Sequence, residues 1–134
     1  MIIDDCQNYN DDGSKGHNIF HIICPSINKL ILNESIVHLT LTRCGIGNKE
    51  LIILGSAFKI NSTIKSLNLS RNEFDSELIN FIDILLKNSK LPLNSLDLSF
   101  NGIDNSILIG FPSLKNATRL LKIINYPSEI MLKT

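Results

Sequence analysis

The sequence predicts a short α/β solenoid, in which strand-turn-helix units stack side by side. A motif of the form LxxLxLxx(N/C)x(I/F), with Ile replacing the first Leu in two copies, occurs at residues 36–46, 64–74 and 93–103. The copies are 28 and then 29 residues apart, and the segments between them carry apolar residues at helical spacing. A nearly constant period of this length is typical of repeat proteins.

The central LxL of each motif predicts a short strand, near residues 37–41, 65–69 and 94–98. Alternate side chains of a strand point to opposite faces, so the two leucines of each copy share one face. Stacking the copies makes a parallel sheet with one buried and one solvated face. The residues expected in the buried stripe are Leu39, Leu41, Leu67, Leu69, Leu96 and Leu98.

The Asn or Cys of each motif, namely Cys44, Asn72 and Asn101, falls where the strand turns away. An Asn side chain both donates and accepts hydrogen bonds, so it can satisfy turn backbone groups that would otherwise be buried without partners. A Cys in the same position does this only weakly. The sequence therefore predicts a structural role for all three residues.

The outer segments predict helices. The first is indicated by Leu51, Leu54, Ala57 and Phe58, and the second by Leu78, Ile82, Leu85 and Leu86, with Asp75 or Ser76 as its N-cap. Gly110 and Pro112 interrupt the third outer segment, which predicts a helical turn, a break and a second piece from 113 to 120. A degenerate fourth copy near residue 121 places Tyr126 in a leucine position and Glu129 in the Asn position, as a cap with a strand near 123–125.

Residues 1–35 are assigned to an N-terminal polar segment and capping element, and residues 36–134 to the repeat domain. Residues 8–16 are polar and predict a loop. Residues 17–24 predict a short helix that stops at Pro25. Residues 27–32 either form a hairpin with the first repeat strand, which is preferred, or extend the helix. Either arrangement would cover the exposed core of the first repeat.

Residues 36–131 resemble the leucine-rich repeat family, and the long period resembles its ribonuclease-inhibitor-like subclass. The resemblance implies a right-handed α/β superhelix with a parallel sheet on the concave face and helices on the convex face. It also implies that the chain works by binding another protein.

Composition narrows the partner class. Thirteen basic and thirteen acidic residues give a formal net charge of zero, which argues against nucleic acid as a partner. The sequence shows neither a secretory signal nor an apolar run of membrane-spanning length, so we expect no membrane partner and a cytoplasmic location, or export by a signal that is not visible. Three widely spaced cysteines argue against a disulfide framework.

No motif in the sequence supports an enzyme, a metal site or a cofactor. Asn8, Asn10, Asp12 and Gly13 match the opening of a calcium loop, but Ile19 occupies the position of the bidentate Glu. His17, His21 and Cys24 would share one helical face as zinc ligands but lack a fourth, and an amphipathic helix is the simpler interpretation. Cys44 is interpreted as a buried turn residue and not as a nucleophile.

The open face of the sheet is the candidate binding surface. Its columns and the neighbouring strand ends comprise His38, Thr40, Thr42, Arg43, Ser66, Asn68, Ser70, Arg71, Ser95, Asp97, Ser99 and Phe100, with Ile123 and Asn125 continuing the columns. Arg43, Arg71 and Phe100 occupy the same position in successive repeats, and their stripe could bind a carboxylate-bearing, partly apolar segment. The alternative is a polar face that only keeps the sheet soluble.

The leading functional hypothesis is a protein-protein interaction module, such as an effector or scaffold, that binds through the concave sheet. One alternative is a regulator of a small GTPase, for which a longer array and an acidic surface would be expected. A second is a structural repeat protein without its own ligand. Weak self-association through the array ends is also expected, because a solenoid exposes a sheet edge at each terminus.

Overall fold

A computed structural model describes residues 1–4, 7–9, 15–18, 20–32, 35–106, 121–126 and 128–132. Eight strands and three helices lie within these ranges. In chain order they are β1 (Ile2–Asp4), β2 (Gln7–Tyr9), β3 (Lys15–Asn18), α1 (Phe20–Leu32), β4 (His38–Thr42), α2 (Asn48–Phe58), β5 (Ser66–Asn68), α3 (Leu78–Lys87), β6 (Ser95–Asp97), β7 (Leu121–Asn125) and β8 (Ser128–Leu132).

The main sheet has six strands in the order β1-β4-β5-β6-β7-β8. The first five strands run parallel, and β8 returns antiparallel to β7. Leu39, Leu67, Leu96 and Ile123 lie side by side on neighbouring strands, so the sequence period becomes the sheet register. This architecture confirms the predicted α/β repeat solenoid.

The predicted leucine stripe is buried as one continuous row beneath the sheet. Each of its six leucines is at most 2% exposed. Their burial stabilises the fold by roughly 1.5–3 kcal/mol per side chain. One hydrophobic core therefore runs through all the described repeats.

Helices α2 and α3 cover this core. Gly55 brings them close together, because a Cβ at that position would lie 3.1 Å from Ile84 Cδ1. Phe58 and Phe81 pack edge to face between the two helices, with centroids 5.6 Å apart. The start of α3 differs from the prediction: its N-cap is Glu77, and Asn48 of the preceding repeat accepts hydrogen bonds from the backbone there.

Helix α1 continues through Pro25, so the prediction that it stops there was wrong, and residues 27–32 form helix instead of the preferred hairpin. Cys24, Ile27 and Ile31 are all buried, at spacings of three and four residues. Burial of this face against the core outweighs the roughly 3 kcal/mol that an interior proline costs a helix. At the sheet edge where the hairpin was expected, β1 pairs in parallel with β4.

The N-terminal polar segment also differs from the prediction. Parts of residues 8–16 belong to β2 and β3, which pair antiparallel in a separate two-stranded sheet; residues 10–14 lie outside the described ranges. His17 is in β3 and not in the helix that contains His21 and Cys24. The helical face that would have carried three zinc ligands is therefore not formed.

The fourth repeat is one residue out of the predicted register. Ile123, not Ile124, pairs with Leu96, and Glu129 lies in β8 opposite Ile124 instead of in the Asn position. Leu121, Ile123 and Asn125 are buried, so the prediction that Ile123 and Asn125 extend the open columns was wrong. Lys122, Ile124 and Tyr126 occupy the corresponding positions on the open face instead. The predicted break at Phe111–Pro112 lies outside the described residues.

No helix in the described part of the chain is long and apolar enough to cross a membrane.

Candidate functional site

The open face of the sheet carries the predicted residues in rows that cross the strands. One row contains His38, Ser66, Ser95 and Lys122, and the next contains Thr40, Asn68, Asp97 and Ile124. These residues are exposed or half-buried. The third row, Thr42, Ser70 and Ser99, was predicted as part of the surface but is at most 9% exposed. Two rows of mostly small polar side chains therefore form the accessible floor of the concave face.

The third row is covered because neighbouring groups bond to it. Thr42 Oγ1 donates to the carboxylate of Asp4 on β1, and the backbone amide of Tyr126 donates to Ser99 Oγ over 2.7 Å. These contacts satisfy the hydroxyl groups of Thr42 and Ser99 within the protein. They leave the row as support for the strand ends and not as contact surface.

Behind the strand ends, Asn72 is the centre of a buried hydrogen-bond ladder. Its Oδ1 accepts from the amides of Cys44 and Ile46 at 3.0 and 3.1 Å. Its Nδ2 donates to the carbonyl oxygens of Leu41, Leu69 and Ser70 at 2.8–3.2 Å. The side chain thus bonds backbone in two adjacent repeats.

The ladder continues to the next repeat through Asn101. Its Oδ1 accepts from the amide of Asn72 over 2.9 Å, and its Nδ2 donates to Leu69, Leu98 and Ser99. In the first repeat, Cys44 Sγ donates to the carbonyl of Thr42 at 3.2 Å and, more distantly, to that of Ile3. The predicted structural role of all three positions is confirmed.

Cys44→Asn is therefore expected to leave the melting temperature unchanged or raise it by a few degrees. An amide at this position would supply stronger donors to the same carbonyl groups than a thiol does. Thermal unfolding followed by circular dichroism measures the effect. A fall of more than about five degrees would show that the packing of the thiol, and not its weak hydrogen bonds, decides the residue at this position.

The residue before each ladder position has a left-handed backbone. The φ angles of Arg43, Arg71 and Phe100 are 52°, 59° and 61°. For residues with a Cβ this conformation costs roughly 1–2 kcal/mol each. The backbone ladder holds it in place: the amide of Arg43 donates to the carbonyl of Arg71, and that of Arg71 to the carbonyl of Ser99. The sequence did not predict this conformation.

These turns direct three large side chains to the rim of the concave face, where they lie in a line beside Asp4 and Tyr126. Arg43 Nε lies 3.4 Å from Asp4 Oδ1. Arg71 Cζ lies 4.3 Å from the centroid of the Phe100 ring. That ring stacks on Tyr126 with 5.5 Å between centroids and 28° between planes. We call Arg43, Arg71, Phe100 and Tyr126 the rim stripe.

The rim stripe is accessible to solvent. Phe100 is 51% exposed and Tyr126 is 66% exposed. Among the residues that the structure describes, Arg43 has an ion-pair partner in Asp4, whereas Arg71 has none and contacts the ring of Phe100. A guanidinium in contact with a ring still has N–H groups to which a carboxylate can bind.

Sequence reasoning missed two residues of this site. Tyr126 was assigned to a buried leucine position because the fourth copy was aligned one residue out of register. Asp4 was not connected with the sheet, although Met1, Ile3 and Cys6 repeat the spacing of Leu39, Leu41 and Cys44. A repeat search that accepted Met and Ile in place of Leu would have found β1.

The described thiols do not have the properties of nucleophiles. Cys24 and Cys44 are both fully buried. Burial, and secondarily the negative charge of Glu50, raises the pKa of Cys24 to about 11, so this thiol is protonated at neutral pH. Within the described ranges, no cluster of three or more His, Cys, Asp or Glu side chains could hold a metal ion.

The comparisons with known proteins agree with this geometry. The sequence model of a family described as Leucine Rich repeat matches residues 61–77 and 90–111. A solved structure titled Leiomodin-1 Actin-Binding Site 2 superposes with a TM-score of 0.63 at 24% sequence identity, over 91% of this chain and 69% of that chain. No curated protein sequence matches significantly.

The chain is therefore an α/β repeat solenoid with its parallel strands in motif register, and two of its segments match the leucine-rich repeat model. Such arrays generally serve as protein-interaction modules, and neither comparison indicates an enzyme family.

Proposed function

We propose that this protein is a non-catalytic binding module of the ribonuclease-inhibitor-like type that holds a segment of a partner protein on its concave face. The observation that carries the proposal is the backbone of the rim stripe. Three consecutive repeats place Arg, Arg and Phe at positions with a positive φ, where glycine would be free of strain. Strained residues of this kind cluster at functional sites.

The floor of the concave face supports the same proposal. Its first two rows carry short side chains such as Ser66, Thr40 and Asn68, which lose little rotamer entropy when a ligand covers them. The strands are fixed by the core beneath and by the Asn ladder behind. A preorganised surface of this kind keeps the entropic cost of binding low.

The rim stripe sets the chemistry of the partner. Arg71 offers charge-assisted hydrogen bonds to a carboxylate, and the exposed rings of Phe100 and Tyr126 offer apolar area beside it. Arg and aromatic side chains are enriched among the residues that dominate binding energy. The proposed ligand is thus a segment with an acidic side chain next to an apolar one.

Two alternatives fit less well. Regulation of a small GTPase would favour an acidic surface, whereas the net charge here is zero. A purely structural repeat would have no reason to keep strained, exposed Arg and Phe side chains at the rim. An interaction scaffold or effector accounts for both the floor and the rim.

Two arginines placed in the floor of the concave face should block binding of the partner. We expect the double variant Thr40→Arg, Ser95→Arg to lose at least ten-fold in partner capture, because two long cations would fill the first two rows. The matched control is Ser56→Arg on the exposed convex side of α2. The measurement is quantitative mass spectrometry of proteins retained from source-cell extract, with purified actin as one defined candidate because the superposed leiomodin-1 structure is titled an actin-binding site. Equal capture by the double variant and the control would exclude the concave floor as the binding surface.

We also propose weak self-association through the sheet edges. Among the described strands, β1 and β8 are the two edge strands of the main sheet. Unpaired edge groups are a template for pairing with another chain. Sedimentation velocity is expected to show a concentration-dependent rise in weight-average mass, and a strictly monomeric protein at high concentration would contradict this part of the proposal.

A further inference from the structure

A cleft of about 510 Å³ adjoins the last two residues of the rim stripe. It is open to solvent at the end of the concave face, and its size is within the range of ligand pockets. Two exposed aromatic residues, one Asp and two Asn are among the residues that line it, which are Phe100, Gly102, Ile103, Asp104, Asn105, Asn125 and Tyr126.

The carboxylate in this cleft is ionised at neutral pH. Hydrogen bonds from the backbone amide and the hydroxyl group of Ser106 lower the pKa of Asp104 below its usual value. The hydrogen bond from the backbone amide of Ser106 is 2.9 Å long and holds Asp104 Oδ1 in place. No cation among the described residues forms an ion pair with Asp104. A fixed negative charge therefore lies beside the aromatic rings.

The rings themselves attract cations. Arg71 already lies over the face of Phe100, which shows that this aromatic pair accommodates a guanidinium within the chain. The strand order β5-β6-β7 places Arg71 and Tyr126 on the two sides of Phe100. Tyr126 stacks on Phe100 and has 66% of its surface exposed. Its ring can provide a second cation–π contact.

We propose that this cleft binds a lysine or arginine side chain of the partner segment. A cation would lie against Tyr126 and pair with Asp104. An acidic side chain would be repelled by Asp104, and an apolar one would remove water from the carboxylate without replacing its hydrogen bonds. The inference rests on the proposed function and extends it: besides the acidic side chain for Arg71 and the apolar one beside it, the partner segment carries a basic residue for the cleft.

The test uses small probes and nuclear magnetic resonance. Amide shifts of the ¹⁵N-labelled full chain are followed during titration with Nα-acetyl-lysine methylamide, and with its norleucine and glutamate analogues. We expect saturable shifts at Gly102, Asp104 and Asn105 with the lysine probe only. Asp104→Asn, which keeps the acceptor for Ser106, and Tyr126→Ala should each weaken the lysine probe about three- to ten-fold. Asp83→Asn on α3 is the matched control and should change nothing.

Equal binding of the norleucine probe, no saturable shift with the lysine probe, or full affinity in Asp104→Asn would each overturn the inference. Unaltered spectra outside the cleft show that a variant is folded, so loss of structure is distinguished from loss of binding. The proposed function has a separate readout. If Asp104→Asn and Tyr126→Ala weaken lysine binding but leave partner capture unchanged, the assignment of the cleft to the partner's basic residue is defeated alone. Capture that survives Thr40→Arg, Ser95→Arg would defeat the concave-face proposal.

Discussion

Asn72→Leu is expected to destabilise the protein by about 3–5 kcal/mol, because it leaves several buried backbone groups without partners. The amide side chain has five backbone partners within hydrogen-bond distance, two that donate to Oδ1 and three carbonyl groups that share the two hydrogens of Nδ2. Each buried group that loses its partner costs about 1–3 kcal/mol, although local relaxation recovers part of the total. The melting temperature should fall by roughly 10–20 °C.

Urea and thermal unfolding of matched variants test this. Asn80→Leu makes the same substitution at an exposed position of α3, where the side chain bonds only to Glu77, and should change stability by less than about 0.5 kcal/mol. Asn72→Asp keeps both acceptor interactions but places oxygen against three carbonyl groups, so it should also be strongly destabilising. A neutral Asn72→Leu would mean that water or a rearranged turn satisfies these groups.

The sequence predicted the repeat core well because each repeat solves the same packing problem. Leu67 and Leu96 meet Leu39 in register since the spacing, the strand alternation and the turn residue all indicate one arrangement. The role of Asn72 followed from the same logic: a tight turn beside a buried strand needs a side chain that both donates and accepts. Agreement between local and global preferences is what made these elements predictable.

The two ends of the array were harder to predict from the sequence, because tertiary packing there overrides local secondary-structure preferences. Pro25 is a strong local signal for a helix end, yet the buried face formed by Ile27 and Ile31 carries α1 past it. At the other end, Ile123 and Ile124 are equally apolar, so composition could not fix the register. Pairing of β7 with both β6 and β8 decided it.

The candidate site was half predictable. Position in the repeat put Arg43, Arg71 and Phe100 in one line, and the structure has them at the same turn of successive repeats. The left-handed backbone and the stacking of Phe100 on Tyr126 depend on three-dimensional geometry that no short-range pattern encodes. The part that was missed, the strained backbone and the ring stacking, is what supports the proposal that the stripe binds a partner and is not a row of incidental solvated side chains.

Glycine at the three strained positions is expected to abolish partner capture while leaving the fold intact. The triple variant Arg43→Gly, Arg71→Gly, Phe100→Gly removes the side chains that we propose bind the partner. It also relieves the left-handed strain, which offsets the greater entropy of glycine in the unfolded chain and the lost Arg–Phe and Phe–Tyr contacts. The melting temperature should stay within a few degrees, while capture falls by at least 100-fold.

The corresponding triple alanine variant separates backbone strain from binding. Alanine removes the same side chains but keeps a Cβ at positive φ, so it should be about 2–4 kcal/mol less stable than the glycine variant and equally unable to capture the partner. Lys49→Gly on the exposed face of α2 should show the opposite pattern, with about 1 kcal/mol lost and capture unchanged. If the glycine variant captured the partner as well as the wild type, the left-handed turns would serve the Asn ladder alone, and the binding energy would have to come from the floor of the sheet.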